Sequence, residues 1–260
     1  MTFAIIGNGA IAGYVIGALG RRGHSVAAKI VRTAPAPEGP VAPVRVTSVA
    51  DLPESVRHVI DCAGHPGLVA HGERVLRAGL DLTTLSLGAL ADPALADALS
   101  RAAEAGQSRL FPACGAIGAL DALTAARIGR LDRVTYVGRK PPAGWAGSAA
   151  ESVLDLAAMG PAPVTHFRGT ARAAAVAFPK NANVAAAVAL AGLGFDATQV
   201  ELIADPSAAR NIHEIEAEGE FGRFAFRIEG DALPDNPRSS ALAAMSAVAT
   251  AERALSRVVI

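Results

Sequence analysis

The sequence has few cysteines, few aromatic residues and no net charge, and the first of these shortages already limits what the protein can be. There are two cysteines in 260 residues, Cys62 and Cys114, and both lie in apolar runs without the spacing of metal ligands. Two such residues build neither a disulfide framework nor a zinc site. We therefore expect no bound metal, and a reducing compartment such as the cytoplasm suits the chain.

The charges are balanced, which bears on possible partners. Lys and Arg together number 24, as do Asp and Glu, and no block of basic residues could follow a nucleic acid backbone or an anionic lipid surface. No apolar run reaches the roughly 18 residues of a membrane-spanning helix, and an apolar strand begins at residue 2 without a basic leader. We expect a protein that is not exported and has no nucleic acid or membrane partner.

The first 120 residues alternate between short apolar runs and segments with helical spacing. Hydrophobic residues form 51% of the chain but aromatic residues only 4%, a composition typical of small side chains packed closely between helices and a sheet. This alternation predicts an α/β fold, a Rossmann-type doubly wound parallel sheet. The expected strands are 2–6, 25–31, 44–46, 56–62, 80–85 and 109–112, and the expected helices include 14–19, 49–55, 68–78 and 92–105. The proline-rich stretch 33–43 is expected to be a loop.

After about residue 120 the pattern changes, which predicts a second, α+β domain over residues 121–237 with a mainly antiparallel sheet. Segments 131–137 and 165–178 are expected to be extended, 214–219 and 221–230 are expected to form a hairpin, and 151–159 and 184–192 have helical spacing. Asp235 and Asn236, between two prolines, are expected to form a turn. The C-terminal segment 238–260 contains an alanine-rich helix, which we expect to join the first domain.

A glycine turn directly after the first strand indicates the chemistry of the first domain. Gly7, Gly9 and Ala12 occupy the small positions of the G-x-G-x-x-G/A pattern. In that order, they allow a tight turn, a close approach of the backbone to a pyrophosphate, and close packing of the helix on the strand. The backbone amides at Ala10 and Ile11, at the start of the helix, would face the phosphates. Residues 1–120 are therefore predicted to bind a nicotinamide dinucleotide, NAD or NADP, the alternative being a glycine-rich turn in an unrelated fold.

The end of the second strand bears on the choice between these cofactors. An acidic residue there would bind the adenosine ribose, but Val31 is followed by Arg32 and Thr33. An arginine at this point can hold the 2′-phosphate of NADP, so we expect NADP to be accepted. The alternative is a solvated arginine at a strand end.

Several further segments, in a fixed order, carry a resemblance to a known family. They are 61–65 (DCAGH), 86–92 (SLGALAD), 115–118 (GAIG), 138–142 (GRKPP), 178–184 (FPKNANV), 211–213 (NIH) and 233–237 (LPDNP). Together with the glycine turn they resemble the L-aspartate dehydrogenase family over nearly the whole chain. The strand ends are generic, but the Lys-Asn-x-Asn, Asn-Ile-His and Pro-Asp-Asn-Pro segments are specific in combination.

The resemblance implies a homodimer of two-domain subunits, with residues 121–237 as the catalytic and dimerisation domain. It implies NAD(P)-dependent oxidative deamination of L-aspartate and the reverse reductive amination. The product, iminosuccinate, would hydrolyse to oxaloacetate and ammonia or pass to quinolinate formation in NAD biosynthesis. The residue that matches His213 is the family's catalytic histidine, and the positions that match Ala116 and Asn183 contact the cofactor.

The chain has six histidines that are candidate acid–base groups. Deamination needs a neutral base near physiological pH, and histidine supplies one. We expect His213 to activate the water that attacks the imine and to shuttle the amine proton. His65, at the carboxyl edge of the predicted sheet, either lines the substrate and nicotinamide site or is an ordinary loop residue. The others are expected to be packing or solvated residues: His24, His58, His71 and His166.

A dicarboxylate substrate also needs cationic or amide donors. Lys180, Asn181 and Asn183 cluster before a segment with helical spacing, which suggests a carboxylate or amide pocket at a helix N-terminus. We predict that Lys180 contacts a substrate carboxylate and that Asn181 lines the substrate pocket, and the resemblance places Asn183 on the nicotinamide side. An ordinary helix cap would need only one asparagine.

Two other functions fit the sequence. One is a different two-domain NAD(P)-dependent imine or carbonyl reductase, which would share the glycine turn but not the specific segments. The other is a non-catalytic dinucleotide sensor, because a fold does not guarantee activity.

Overall fold

The computed structural model describes residues 1–33, 42–234 and 236–258. The chain folds into two compact units, residues 1–113 with 243–260, and residues 114–242. Most of the expected loop at 33–43, and Asp235 of the expected turn, lie outside the described residues. The sequence-based division at residues 120 and 238, with one function for each part, stays a prediction.

The first unit is built on a parallel sheet of six strands. Its order is β3-β2-β1-β4-β5-β6, and each neighbouring pair is parallel. This is the strand order of doubly wound dinucleotide-binding folds, so the predicted fold class is confirmed for this part of the chain. The strands are β1 (Thr2–Ile6), β2 (Ser25–Ile30), β3 (Val44–Val46), β4 (His58–Asp61), β5 (Asp81–Thr84) and β6 (Leu110–Pro112).

Three helices connect these strands: α1 (Ala10–Arg21), α2 (His65–Arg77) and α3 (Pro93–Gly106). The helix predicted over 49–55 is wrong, since only one 3-10 turn forms, at Val49–Asp51. Leu52 has extended backbone angles, φ −67° and ψ 139°. Pro53 explains this, because the residue before a proline avoids helical geometry.

The second unit contains a mixed sheet of five strands in the order β11-β10-β7-β9-β8. Only the pair β7 and β9 is parallel, so the predicted, mainly antiparallel sheet is confirmed. A further pair, β12 and β13, forms a small antiparallel ladder. The elements are α4 (Leu120–Ala126), β7 (Leu131–Lys140), β8 (Val164–Thr170), α5 (Ala171–Ala177), α6 (Asn183–Ala191), β9 (Gln199–Ala204), β10 (Asn211–Gly219), β11 (Gly222–Gly230), β12 (Ala232–Leu233) and β13 (Asn236–Ser240).

Two sequence predictions in this unit are wrong. Segment 165–178 is extended only to Thr170, whose Oγ1 accepts a hydrogen bond from Ala173 N and so caps the alanine-rich helix α5. The helix predicted over 151–159 is a 3-10 turn at Ala149–Ser152 followed by irregular chain. There the Asp155 carboxylate accepts from the amides of Ala157 and Ala158, a local bond that competes with helix formation.

The core of the first unit includes the last helix, α7 (Ala241–Leu255). Ala247 and Ala251 are fully buried in one cluster with Phe3, Ile5 and Leu19. Burial of such side chains is the main favourable term in folding, so α7 contributes to the stability of this unit. Within the described residues, no helix combines the length and the apolarity needed to cross a membrane.

Candidate active site

The glycine turn of the first unit has the geometry that its sequence predicts. Gly7 follows β1 with φ +109°, a conformation that residues with a side chain rarely adopt. A Cβ at this position would lie 3.2 Å from both Cys62 O and Ala63 Cβ, which follow the adjacent strand β4. The turn therefore requires glycine for two reasons, backbone conformation and close packing.

Gly9 differs from Gly7 because it borders open space. It is the N-cap of α1, its backbone is extended, and no atom lies within 4 Å of a Cβ built on it. No side chain caps α1, and its first turn, which begins with Ala10 and Ile11, has no acidic residue. Ala12 is 1% exposed and packs in the core. Uncapped amides beside open space fit a dinucleotide pyrophosphate.

The second strand supports this turn and carries no acid at its end. Lys29, which is 8% exposed on β2, donates from Nζ to Asn8 Oδ1 over 3.1 Å and so links β2 to the glycine turn. Arg32 and Thr33 follow β2 and are exposed to solvent. The described chain thus offers a cation and a hydroxyl at the place where a ribose-binding acid would stand.

A buried carboxylate joins the loops after β4 and β5. Asp61 accepts hydrogen bonds from Ser86 Oγ at 2.6 Å, Thr84 Oγ1 at 2.8 Å and Ala63 N at 2.9 Å. Burial raises the pKa of Asp61, and the three hydrogen bonds oppose that rise. His65 begins α2 and is half-buried. Asp61 thereby fixes the carboxyl edge of the sheet, where doubly wound folds bind ligands.

In the second unit, His213 is paired with a tyrosine. His213 on β10 is 4% exposed, and its Nδ1 lies 2.8 Å from Tyr136 Oη on the neighbouring strand β7. Burial first, and the charge of Lys140 second, lower the pKa of His213 to about 3. The ring is therefore neutral at physiological pH. Burial raises the pKa of Tyr136, so its hydroxyl stays protonated.

Gly138 leaves the space in which this pair meets. It lies opposite His213 in the ladder between β7 and β10. A Cβ at Gly138 would be 2.7 Å from Tyr136 Oη and 3.2 Å from Leu202 Cδ2. Any larger residue would displace the tyrosine hydroxyl, so Gly138 is a requirement of the pair.

Lys140 lies two residues further along β7. Its Nζ donates to Asn181 Oδ1 over 2.8 Å and stands 4.9 Å from the centre of the Trp145 ring, a cation–π distance. Burial lowers the pKa of Lys140 to about 8. Its charge lowers the pKa of both His213 and His166, which places it within electrostatic reach of each.

The predicted substrate residues are partly brought together. Lys180, which is exposed, and Asn181, which is half-buried, line one cavity of about 730 Å³ with Lys140 and Asn211. Asn183 is the first residue of α6, but the N-cap is Ala182 and no side chain caps the helix. The capping alternative for these asparagines is therefore wrong.

The other predicted positions are distributed over both units. Ala116 lies in the second unit and is 4% exposed, whereas Gly7, Gly9, Ala10, Ile11, Arg32 and His65 lie in the first. The described residues contain no group of three or more side chains suited to a metal ion, and Cys62 and Cys114 are free thiols. The roles of all these residues stay predictions.

Three of the remaining histidines have structural surroundings. His24 Nε2 lies 3.2 Å from Glu252 Oε1. His58 is fully buried, and its Nε2 is 2.7 Å from Thr83 Oγ1. His166 packs against the Trp145 ring, with ring centres 4.4 Å apart. These contacts favour packing roles over catalysis.

Comparison with known proteins identifies the family of this chain. A family model described as aspartate dehydrogenase, C-terminal, matches residues 121–254, more than half of the chain. A second, described as homoserine dehydrogenase, NAD binding domain, matches residues 7–112. The L-aspartate dehydrogenase of Ruegeria pomeroyi is 57% identical over 259 residues, covering 95% of this chain and 90% of its own length. The chain belongs to the L-aspartate dehydrogenase family.

The family assignment has further support. The L-aspartate dehydrogenase of Pseudomonas aeruginosa is 47% identical over 206 residues, or 79% of this chain and 77% of that protein. The solved structure of the Thermotoga maritima aspartate dehydrogenase superposes with a TM-score of 0.77 over 100% of this chain and 99% of that one. Its sequence identity is 24%, so this similarity bears on the fold alone. The resemblance found in the sequence is confirmed.

The sequence did not point to two residues of this candidate site, Tyr136 and Lys140. A signal was present, because Tyr136, Gly138 and Lys140 alternate along one extended segment and therefore share one face of the sheet. What the sequence does not give is the partner strand. Only the register of β7 against β10 puts His213 on that same face.

Proposed function

We propose that this protein catalyses the NAD(P)-dependent oxidative deamination of L-aspartate to iminosuccinate, which yields oxaloacetate and ammonia, and the reverse reductive amination. The observation that carries the proposal is the neutral, buried His213 held by Tyr136, on a strand that reaches a cavity with excess positive charge. It lies in the part of the chain that matches the aspartate dehydrogenase C-terminal model. A dicarboxylate amino acid matches this combination of base and cations.

In this mechanism His213 takes and returns a proton. Oxidation of the Cα–N bond requires the amine to lose a proton, and hydrolysis of the imine requires an activated water. A neutral imidazole with Nδ1–H directed to Tyr136 Oη has a free lone pair on Nε2, which can accept that proton. The tyrosine oxygen then continues to accept from Nδ1–H in the imidazolium form. Tyr136 is thus a positioning residue that keeps the ring oriented in both states.

The dinucleotide, when bound, supplies the hydride acceptor at its nicotinamide C4. The amides at Gly9, Ala10 and Ile11 would hold its pyrophosphate at the N-terminus of α1. Ala116 and Asn183 are assigned to the cofactor by their match to the family's positions. Both NAD and NADP are proposed as cofactors.

Replacement of Arg32 by alanine tests the cofactor contact. If Arg32 binds the 2′-phosphate, the KM for NADP should rise by about tenfold, the loss of one charge-assisted contact, while the KM for NAD changes little. Initial rates at saturating L-aspartate measure both constants. An unchanged ratio of the two KM values would show that Arg32 does not bind the 2′-phosphate.

Replacement of Tyr136 by phenylalanine tests the positioning of His213. The ring volume is kept and only the hydroxyl is lost, so Nδ1 is left buried without its partner. We expect kcat to fall by about tenfold, with the KM for L-aspartate within about twofold and an altered pH dependence of kcat. A kcat and a pH profile equal to those of the wild type would show that the hydroxyl does not orient the histidine.

The activity itself is tested by following NADPH and NADH oxidation with oxaloacetate plus ammonia, beside pyruvate, 2-oxoglutarate and glyoxylate. Oxidation that needs both oxaloacetate and ammonia supports the proposal. Preference for another acceptor would indicate a different imine or carbonyl reductase. Binding of the dinucleotide without turnover of any acceptor would indicate a sensor.

We further propose that the protein acts in the cytoplasm as a homodimer and that its iminosuccinate can enter NAD biosynthesis. These points rest on membership of the family. Size-exclusion chromatography at several protein concentrations tests the dimer, and a monomer mass throughout would contradict it.

A further inference from the structure

Lys140 is a half-buried cation without a carboxylate partner. Within residues 1–33, 42–234 and 236–258, its Nζ has an amide oxygen at 2.8 Å and an aromatic face at 4.9 Å, but no carboxylate oxygen within 4 Å. The aromatic face belongs to Trp145, which is fully buried. Removing an ammonium from water is costly unless a counter-charge compensates it. The fold compensates Lys140 only in part.

The neighbouring cation, Arg139, differs from Lys140 because it has a carboxylate partner. Arg139 lies on the opposite face of β7, because successive strand residues point to opposite faces. Its Nη1 is 2.8 Å from Asp205 Oδ2, a direct ion pair. The sequence thus supplies a carboxylate to Arg139, whereas the described residues supply none to Lys140.

Lys140 lines the cavity of about 730 Å³, whose charge is unbalanced. The described lining residues include three cations, Lys140, Lys180 and Arg210, and one carboxylate, Asp231. Arg210 Nε already pairs with Asp231 Oδ1 at 2.6 Å. Two positive charges, those of Lys140 and Lys180, are left for a ligand. A dicarboxylate carries two negative charges and so matches them. The volume lies in the range of small-molecule sites.

We propose that Lys140 binds a carboxylate of the substrate, and that Asn181 holds the ammonium in position until the carboxylate arrives. This inference rests on the proposed function and adds a substrate-binding residue to it. Lys180, at the exposed part of the same cavity, is a second and weaker contact, because water screens an exposed charge.

The assignment links substrate binding to the base. The charge of Lys140 helps to keep the pKa of His213 low. A carboxylate paired with Lys140 offsets that charge, so the imidazole becomes more basic when substrate is present. His213 would then gain proton affinity at the moment when the amine must lose its proton.

The first variant is Lys140→Met, which keeps the length of the side chain and removes the charge. We expect the KM for L-aspartate, and the dissociation constant for succinate measured by calorimetry with NADP present, to rise roughly 30-fold, as for the loss of a hydrogen-bonded ion pair. The dissociation constant for NADPH should stay within about twofold. Arg223→Met, which removes an exposed cation on β11 of the same unit, is the matched control and should change neither constant.

The second variant is Asn181→Asp, which gives Lys140 an internal carboxylate in place of the amide oxygen. The shape of the side chain is kept, so this variant is informative even if Lys140→Met does not fold. The new carboxylate competes with the substrate, so we expect the KM for L-aspartate to rise about tenfold while the melting temperature is maintained or raised.

The two proposals fail in different ways. If wild-type protein does not oxidise L-aspartate but Lys140→Met weakens succinate binding, the proposed reaction is wrong and the carboxylate site stands. If the folded variants bind succinate and use L-aspartate with constants within twofold of wild type, Lys140 does not bind the substrate. A variant that loses stability without any change in these constants would likewise show that Lys140 has a structural role and does not bind the substrate.

Discussion

Replacement of His213 by alanine should lower kcat for L-aspartate oxidation by about 100- to 10,000-fold, the range expected for loss of an acid–base group. The imidazole is 4% exposed, neutral and held by one strong contact to Tyr136, so water cannot readily take its place. Dinucleotide binding should be unchanged because His213 is not among its predicted contacts. Initial rates and NADPH fluorescence titration measure the two effects separately.

The matched control for this variant is His71→Ala. His71 is a half-buried histidine on α2 of the first unit and has no assigned role. Near wild-type turnover by the His213 variant, with dinucleotide still bound, would assign the proton transfer to another group. An equal loss of activity in both variants would point to damage of the fold.

Replacement of Gly9 by aspartate should abolish dinucleotide binding without harming the fold. A Cβ at Gly9 meets no atom within 4 Å, and its extended backbone, φ −88° and ψ −175°, is that of an ordinary N-cap. Aspartate is a good N-cap, so we expect the melting temperature to be equal or about one to two degrees higher. Its carboxylate would occupy the amides that the pyrophosphate needs and repel the phosphates.

We expect the dissociation constant for NADPH to rise about 100-fold or more in Gly9→Asp, a loss of about 2.7 kcal/mol. Fluorescence titration and thermal unfolding together give both numbers. Gly160→Asp is the control, since this glycine also borders open space but lies in the second unit. Tight NADPH binding by a well-folded Gly9→Asp protein would place the cofactor elsewhere.

The fold of the first unit could be predicted from sequence because its signals are local. Each strand is a short apolar run, most of the connections have a helical pattern, and the topology of such repeats is constrained to right-handed connections. The failures were also local. Pro53 ends the helix predicted over 49–55 after one turn. The helix predicted over 151–159 does not form, because the Asp155 side chain accepts hydrogen bonds from nearby backbone amides. Strand β9 was missed, although its first four residues, Gln199 to Leu202, alternate between polar and apolar.

The site could be predicted only in part, because its key relations are between distant segments. The roles of His213 and Asn183 were predicted from the resemblance, and those of Lys180 and Asn181 from their position before a helix. Tyr136 and Lys140 were missed, because nothing in a single strand shows which residues of another strand face it. An uncompensated charge is likewise invisible in sequence: that Lys140 has an amide for a neighbour, and Arg139 a carboxylate, follows only from the folded chain.

The register of β7 and β10 has a consequence for how this family can diversify. Tyr136 and His213 are held by the hydrogen-bonded ladder, whereas much of the cavity wall, including Ala143, Gly147, Lys180 and Arg210, lies outside the strands of the main sheet. We therefore expect that mutations in those connecting segments can change substrate choice while the proposed proton-transferring pair stays in place. Selection for new amino acid substrates would then begin in the connecting segments.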